Sequence, residues 1–337
     1  MTDRVIQKAD LATWLRRLQA SRRLVWPTAE GEGVTRFRAA QPDGAPVLEG
    51  ARATWSPKEH LLPQTEPLFM YGGSGASLTL RPAAPPAQPL VIFGVRPCDG
   101  RAITTLDRVF LKRKERDAIY EARRLRTVLV GLACSEPDWG CFCTSVGGSP
   151  AGREGLDLLL TDLGDRYHVA VLTQDGGELA DDPAMRAART ADRDAATQAN
   201  ARAEALLPRA FDLDAALAGI AWDSPAWQAL AERCLGCGAC SLGCPTCHCF
   251  DIQDEESAGG GVRLRCWDTC QFEEFTKMGA GHNPRMSQTE RTRQRVMHKF
   301  RYLVEEFGVV ACTGCGRCVQ SCPVNIDLRA VLRELAG

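Results

Sequence analysis

The spelling C-x2-C-x2-C-x3-C-P occurs twice in this chain. The first copy is Cys234, Cys237, Cys240, Cys244 and Pro245; the second is Cys312, Cys315, Cys318, Cys322 and Pro323. This is the bacterial ferredoxin run that holds 4Fe–4S clusters. Three closely spaced thiolates wrap one cube, and the fourth, followed by a proline that turns the chain away, reaches the other. Crossed ligation assigns Cys234, Cys237, Cys240 and Cys322 to one cluster, and Cys312, Cys315, Cys318 and Cys244 to a second. Small residues (Gly236, Gly238, Gly314 and Gly316) separate the ligands. Zinc also takes four cysteines, but its ribbons present separated C-x2-C pairs. The duplicated run therefore defines a two-cluster electron carrier, with a ferredoxin-like domain over 234–337.

The remainder of the chain is long enough for further domains. Its 337 residues carry 41 basic and 42 acidic side chains, a net charge of −1 that argues against nucleic acid as a partner. Sixteen cysteines would suit a disulfide-rich secreted scaffold, but such chains are short and begin with a secretion signal. Residues 1–20 mix acids and bases without an apolar stretch. No apolar run approaches the about 20 residues of a membrane helix. The thiols are accordingly expected to be metal ligands in a reducing cytoplasm, with any membrane attachment coming through a partner.

Residues 1–180 read as an α/β domain. A helix capped by Asp10 would place Leu11, Trp14, Leu15 and Leu18 on one face. Residues 27–88, rich in Gly and Pro, suggest short strands and loops; within them Tyr71–Leu80 is a turn before a strand rather than a phosphate loop. Pro89–Val95 and Thr127–Ala133 are apolar runs of buried-strand type, with helical spacing over Asp99–Leu111 between them. Two further strands meet at Gly164-Asp165. Residues 181–233, rich in Ala and Arg, predict a helical connector, with helix starts at Asp182-Pro183 and Ser224-Pro225. Gly259–Gly261 would be a flexible loop in the cluster domain, followed by helices near 291–307 and 327–335. The class is mixed, α/β or α+β.

Eight cysteines lie outside the duplicated run. Cys98 and Cys134 each follow a predicted strand, and Cys141 and Cys143 follow Cys134 closely. If the two strands are parallel neighbours, all four thiols meet at the carboxyl edge of one sheet, where α/β folds place ligands, and would hold a third cube. In Cys141-Phe142-Cys143, an extended segment would turn both thiols to one side and Phe142 into packing. Cys247, Cys249, Cys266 and Cys270 form the last set and would complete a fourth cluster. The basic run Arg291, Arg293, Arg295, Lys299 and Arg301 suggests a solvated helix face or partner contact, and Trp139 and Trp267 are expected to shield clusters. No Ser–His–Asp set, H-E-x-x-H or complete dinucleotide fingerprint is present, so no catalytic residue is assigned.

The stretches FGVRPCDGRAITTLDRVFL, CFCTSVGGSP, CPTCHCFDIQD, RCWDTCQF, AGHNPR and CTGCGRCVQSCPVNID carry a family resemblance. Together they resemble the iron–sulfur β subunit of soluble sulfhydrogenases, the NAD(P)-linked nickel–iron hydrogenases. The iron–sulfur electron-transfer component of anaerobic sulfite reductase is similar. The resemblance implies a non-catalytic electron-transfer subunit. It would stand between a flavin subunit that handles NAD(P)H and the catalytic partner, either a nickel–iron hydrogenase or a sulfite reductase. Cys266 stands where the family commonly carries a basic residue, and Pro284 where an aromatic is expected.

Overall fold

In the computed structural model, which describes residues 2–50, 52–73, 75–84 and 88–336, the chain builds two sheets and a helical region around the thiol loops. It opens with β1 (Arg4–Gln7), α1 (Lys8–Ser21), β2 (Arg23–Ala29) and β3 (Thr35–Ala39). Two strands follow that leave this sheet, β4 (Thr65–Gly72) and β5 (Thr79–Pro82). The chain then returns through β6 (Leu90–Val95), α2 (Pro97–Leu111), α3 (Ala118–Arg124) and β7 (Thr127–Leu132). After these come β8 (Leu158–Asp162), β9 (Arg166–Val171), α4 (Gln174–Ala180) and β10 (Met185–Ala187).

The main sheet has eight strands in the order β10-β1-β9-β8-β7-β6-β2-β3, with β2, β6, β7 and β8 parallel. Every residue of β6 and β7 is buried, because helices cover both faces. Leu90, Ile92 and Leu129 pack under α2 and α3, whereas Val91, Phe93, Val128 and Val130 pack under α1 and α4. This two-sided burial makes their sequence a continuous apolar run instead of an alternating one. The helix start expected at Asp10 falls earlier: α1 begins at Lys8, and Asp10 contributes charge within the first turn. Asp182-Pro183 opens no helix. Asp182 accepts from the Ala184 N–H and turns the chain into β10, which pairs with β1.

The connector proper consists of α5 (Thr190–Ala205), α6 (Leu213–Gly219) and α7 (Ala226–Arg233). The first ferredoxin run then carries the short α8 (Ala239–Leu242). A hairpin follows, β11 (Phe250–Ser257) and β12 (Gly260–Trp267). Gly260 and Gly261 belong to β12, so the expected flexible loop is a tight hairpin turn. The hairpin joins β4 and β5 in a second, antiparallel sheet ordered β11-β12-β4-β5. Arg265 of β12 is buried against Glu66 of β4 and Asp117 at the start of α3, which ties this sheet to the main one. The boundary expected between 1–180 and 234–337 is thus crossed by strand pairing.

The last helices are α9 (Gln288–Met297), α10 (Leu303–Phe307), α11 (Arg317–Gln320) and α12 (Leu328–Ala336), with a π-type turn over His298–Tyr302. Trp227, Val296, Phe300, Leu332 and Leu335 form the core of this region together with Phe142 and Phe211.

Candidate metal centres

β6 and β7 are parallel neighbours, so Cys98 in the first turn of α2 and Cys134 just past β7 emerge at one carboxyl edge. Cys141 and Cys143 fold back over them, and all four line a single cavity with Arg52 and Pro150. Phe142 is buried with its ring 6.1 Å from that of Phe211, in the core of the C-terminal helices. Cys315 of the second ferredoxin run lines the same cavity.

That approach depends on two glycines. Gly314 and Gly316 have φ of +64° and +74°, in the region that disfavours other residues. A Cβ on Gly314 would lie 2.5 Å from the Cys143 N and Cα, and one on Gly316 would lie 2.2 Å from the Gly140 O. The Phe142 N–H donates to the Gly314 O at 2.8 Å. The spacer residues of the run therefore close the ferredoxin loop and also let the sheet-edge loop lie directly on it.

The first run has matching geometry: Gly236 and Gly238 have φ of +68° and +73°, and α8 packs against α11 as its counterpart. Cys234, Cys237 and Cys240 line a cavity with Cys322, the last cysteine of the other run; Cys318 also borders it. Cys244 turns the other way, into electrostatic reach of Cys312 and Cys318. The Lys299 ammonium lies 3.2 Å from its Sγ.

Within the remaining set, Cys247 lies in electrostatic reach of Cys244, and Cys249 in reach of Cys270. Cys266 is not brought to them. It sits one residue from the end of β12, opposite Asp251 and Thr65, with its Sγ 4.0 Å from the Gln253 Oε1. Among the described residues, no three His, Cys, Asp or Glu side chains converge as a single metal ion would require. The thiols surround cavities instead.

The basic run corrects its expected role. Arg291, Arg295 and Lys299, four residues apart, occupy the inner face of α9 and the following turn. Arg291 and Lys299 are buried; Arg295 lines the Cys234 cavity, and its Nη2 donates to the Cys240 O at 3.3 Å. Only Arg293 and Arg301 keep the surface role. The spacing of four was the available signal: it places three cations on one helical face. Of these, Arg295 and Lys299 lie beside cysteines, while Arg291 donates to the Arg285 O and Met286 O. Lys58, which the sequence did not single out, is also buried, and donates to the Cys244 O and Cys247 O at 2.8 and 2.9 Å. Trp139 is 67% exposed and shields nothing, whereas Trp267 lies under Lys58, 4.1 Å from its ring centre.

These surroundings fit iron–sulfur clusters. Buried polar hydrogens nearly always have partners, yet the Arg295 Nε, the Arg52 Nε and the Thr313 Oγ1 have none among the described residues. Arg295 and Arg52 line the two thiol cavities, and Thr313 follows Cys312. Each is a donor that a cluster sulfide or thiolate would satisfy. Burial, reinforced by Cys134 and Cys141, pushes the Cys143 thiol up to about 12. Burial likewise pushes Cys312 to about 12 against the pull of Lys299. Iron would have to displace those protons, so folding and metal binding are linked here.

A pair of crossed thiol sets on a ferredoxin-like loop pair, joined to an α/β sheet, defines an iron–sulfur protein of the dicluster class. The model of the 4Fe-4S dicluster domain matches residues 233–326. Over 253 residues, 73% of this chain and 73% of the relative, the sequence is 35% identical to sulfhydrogenase 2 subunit beta of Pyrococcus furiosus. The chain belongs to the family of sulfhydrogenase beta subunits. No solved structure matches it.

Proposed function

We propose that the chain relays electrons through three 4Fe–4S clusters, held by Cys234/Cys237/Cys240/Cys322, by Cys312/Cys315/Cys318/Cys244 and by Cys98/Cys134/Cys141/Cys143. The observation that carries this reading is the continuity of the thiol sets. Cys318 borders the cavity of the first set, and Cys315 borders the cavity of the third. The second set thus stands between the other two, as an intermediate station would. The clusters supply one-electron transfer. The chain fixes their spacing with glycine loops, excludes water and offsets their negative charge with Arg295 and Lys299.

The family suggests the termini of the relay: a flavin subunit that handles NAD(P)H and a nickel–iron catalytic subunit, in a cytoplasmic complex. No helix among the described residues is long and apolar enough to cross a membrane. Anaerobic purification of the tagged chain should bring both subunits with it, and NAD(P)H should bleach the iron–sulfur absorption of that complex but not of the isolated chain. A complex whose clusters NAD(P)H leaves oxidised would contradict the reading.

A further inference from the structure

Arg52 lies in a stretch without helix or strand, yet two buried arginines fix the chain on either side of it. Arg96, the residue before α2, donates from its Nη2 to the Leu48 O at 3.1 Å and to the Gly50 O at 2.9 Å. Arg317 of α11 donates to the Ala53 O at 2.9 and 3.1 Å. Both are buried in the interior. A guanidinium presents its donors as a rigid planar fork, so two such clamps around one residue set where its side chain can go.

The side chain placed in this way is itself only 4% exposed, and it lines the cavity of Cys98, Cys134, Cys141 and Cys143. Its terminal nitrogens go to the neighbouring loops. Nη2 donates to the Gln320 Oε1 at 2.6 Å, and Nη1 lies 3.4 Å from the Asp138 Oδ2. Gln320 ends α11 in the second ferredoxin run, and the Asp138 O accepts from the Cys141 N–H at 2.9 Å. The Arg52 Nε has no partner among the described residues. A buried N–H is seldom left so, and the cavity that Arg52 lines has room for the missing acceptor.

Charge separates Arg52 from the arginines that clamp it. Arg317 is neutralised by Asp99, and Arg96 gives both terminal nitrogens to carbonyls, the third being the Ala133 O at 3.0 Å. Arg52 faces one carboxylate, that of Asp138, at the long distance already given. We propose that Arg52 is the counter-ion of the cluster held by Cys98, Cys134, Cys141 and Cys143: it gives its Nε hydrogen to that cluster and raises its reduction potential. The proposal rests on the reading of these four thiols as ligands of a third cube. Reduction adds one negative charge to the cube, and a fixed cation with a hydrogen bond to sulfur favours that state.

Arg52→Met keeps much of the side-chain length and removes the charge. In the full chain, purified anaerobically, the third cluster is the reduced-state EPR signal that Cys98→Ser/Cys134→Ser lacks. Its midpoint should fall in Arg52→Met by about 59 mV, a tenfold shift in a one-electron equilibrium, with iron retained. Arg52→Lys should recover part of the shift. Asp138→Asn removes the opposing charge and should move the midpoint upward. Opposite shifts are the signature of charge, which a structural role alone would not give. Unchanged midpoints in Arg52→Met and Asp138→Asn, with iron retained, would overturn the proposal. Should Arg52→Met lose the cluster, Asp138→Asn decides alone: an upward shift supports the proposal, and an unchanged midpoint overturns it. An unmodified chain with the two ferredoxin-type signals and no third one would instead refute the three-cluster reading, and the role of Arg52 with it.

Discussion

Arg317 holds both carboxylate oxygens of Asp99, at 2.6 and 2.8 Å, and both side chains are almost wholly buried. Asp99 follows Cys98, and Arg317 stands between Cys315 and Cys318, so this ion pair joins two thiol loops from opposite ends of the chain. The guanidinium also donates to the Ala53 O at 2.9 and 3.1 Å, which leaves little of it unsatisfied.

Removing one member strands the other in a dry interior. Asp99→Ala should cost about 3–5 kcal/mol in anaerobic urea unfolding, whereas the double variant Asp99→Leu/Arg317→Met should recover much of that loss. Equal destabilisation by the single and double variants would show that the charges are not coupled.

Gly314 offers a steric counterpart. Gly314→Ala loses about 1–2 kcal/mol to its left-handed backbone and must also push Cys143 aside. Iron content should fall, with the sheet-edge thiols affected first. Gly279→Ala, where a Cβ meets nothing within 4 Å, should keep full iron. Metal analysis of the two variants side by side checks the contrast.

Lys299→Met removes a buried positive charge 3.2 Å from the Cys244 Sγ. A reduced cluster is more negative than an oxidised one, so the loss disfavours reduction. The potential of the cluster that uses Cys244 should drop by tens of millivolts with iron retained, as read by EPR-monitored redox titration. An unchanged potential would remove Lys299 from that site.

His60 gives a pH dependence away from the thiols. Burial lowers it to about 4 despite its contact with the Phe37 O, while the unfolded chain titrates near its ordinary value of about 6.5. As pH falls from about 6.5 to about 4, the unfolded state takes up a proton that the folded state refuses, so stability is lost on acidification, by at most about 3 kcal/mol. His60→Gln should flatten that part of the stability profile in urea unfolding at successive pH values.

The sequence was most legible where chemistry dictates local spelling. The duplicated cysteine run announces its own loops, and the apolar runs at 90–95 and 127–132, buried on both faces, announce parallel strands with Cys98 and Cys134 at their ends. Strand pairing across long separations left no local mark: β4 meets β12 nearly two hundred residues later, so a strand from before the main sheet's parallel core pairs with one inside the cluster region. β10 is three residues long and gains its pairing only from β1. Arg295 and Lys299 look solvated by composition, and it is the cysteine loops facing them that draw them inward. Cys266 shares a segment with Cys270, but a single strand register turns it away.

The third thiol set matters most, because it extends a ferredoxin-like pair of clusters onto the α/β sheet. Iron and sulfide analysis of the anaerobically purified chain, compared with a Cys98→Ser/Cys134→Ser variant, tests it most directly. A third cube predicts a loss of about four irons per chain, with the EPR signals of the two ferredoxin-type clusters still present. Unchanged iron in a folded variant would contradict it.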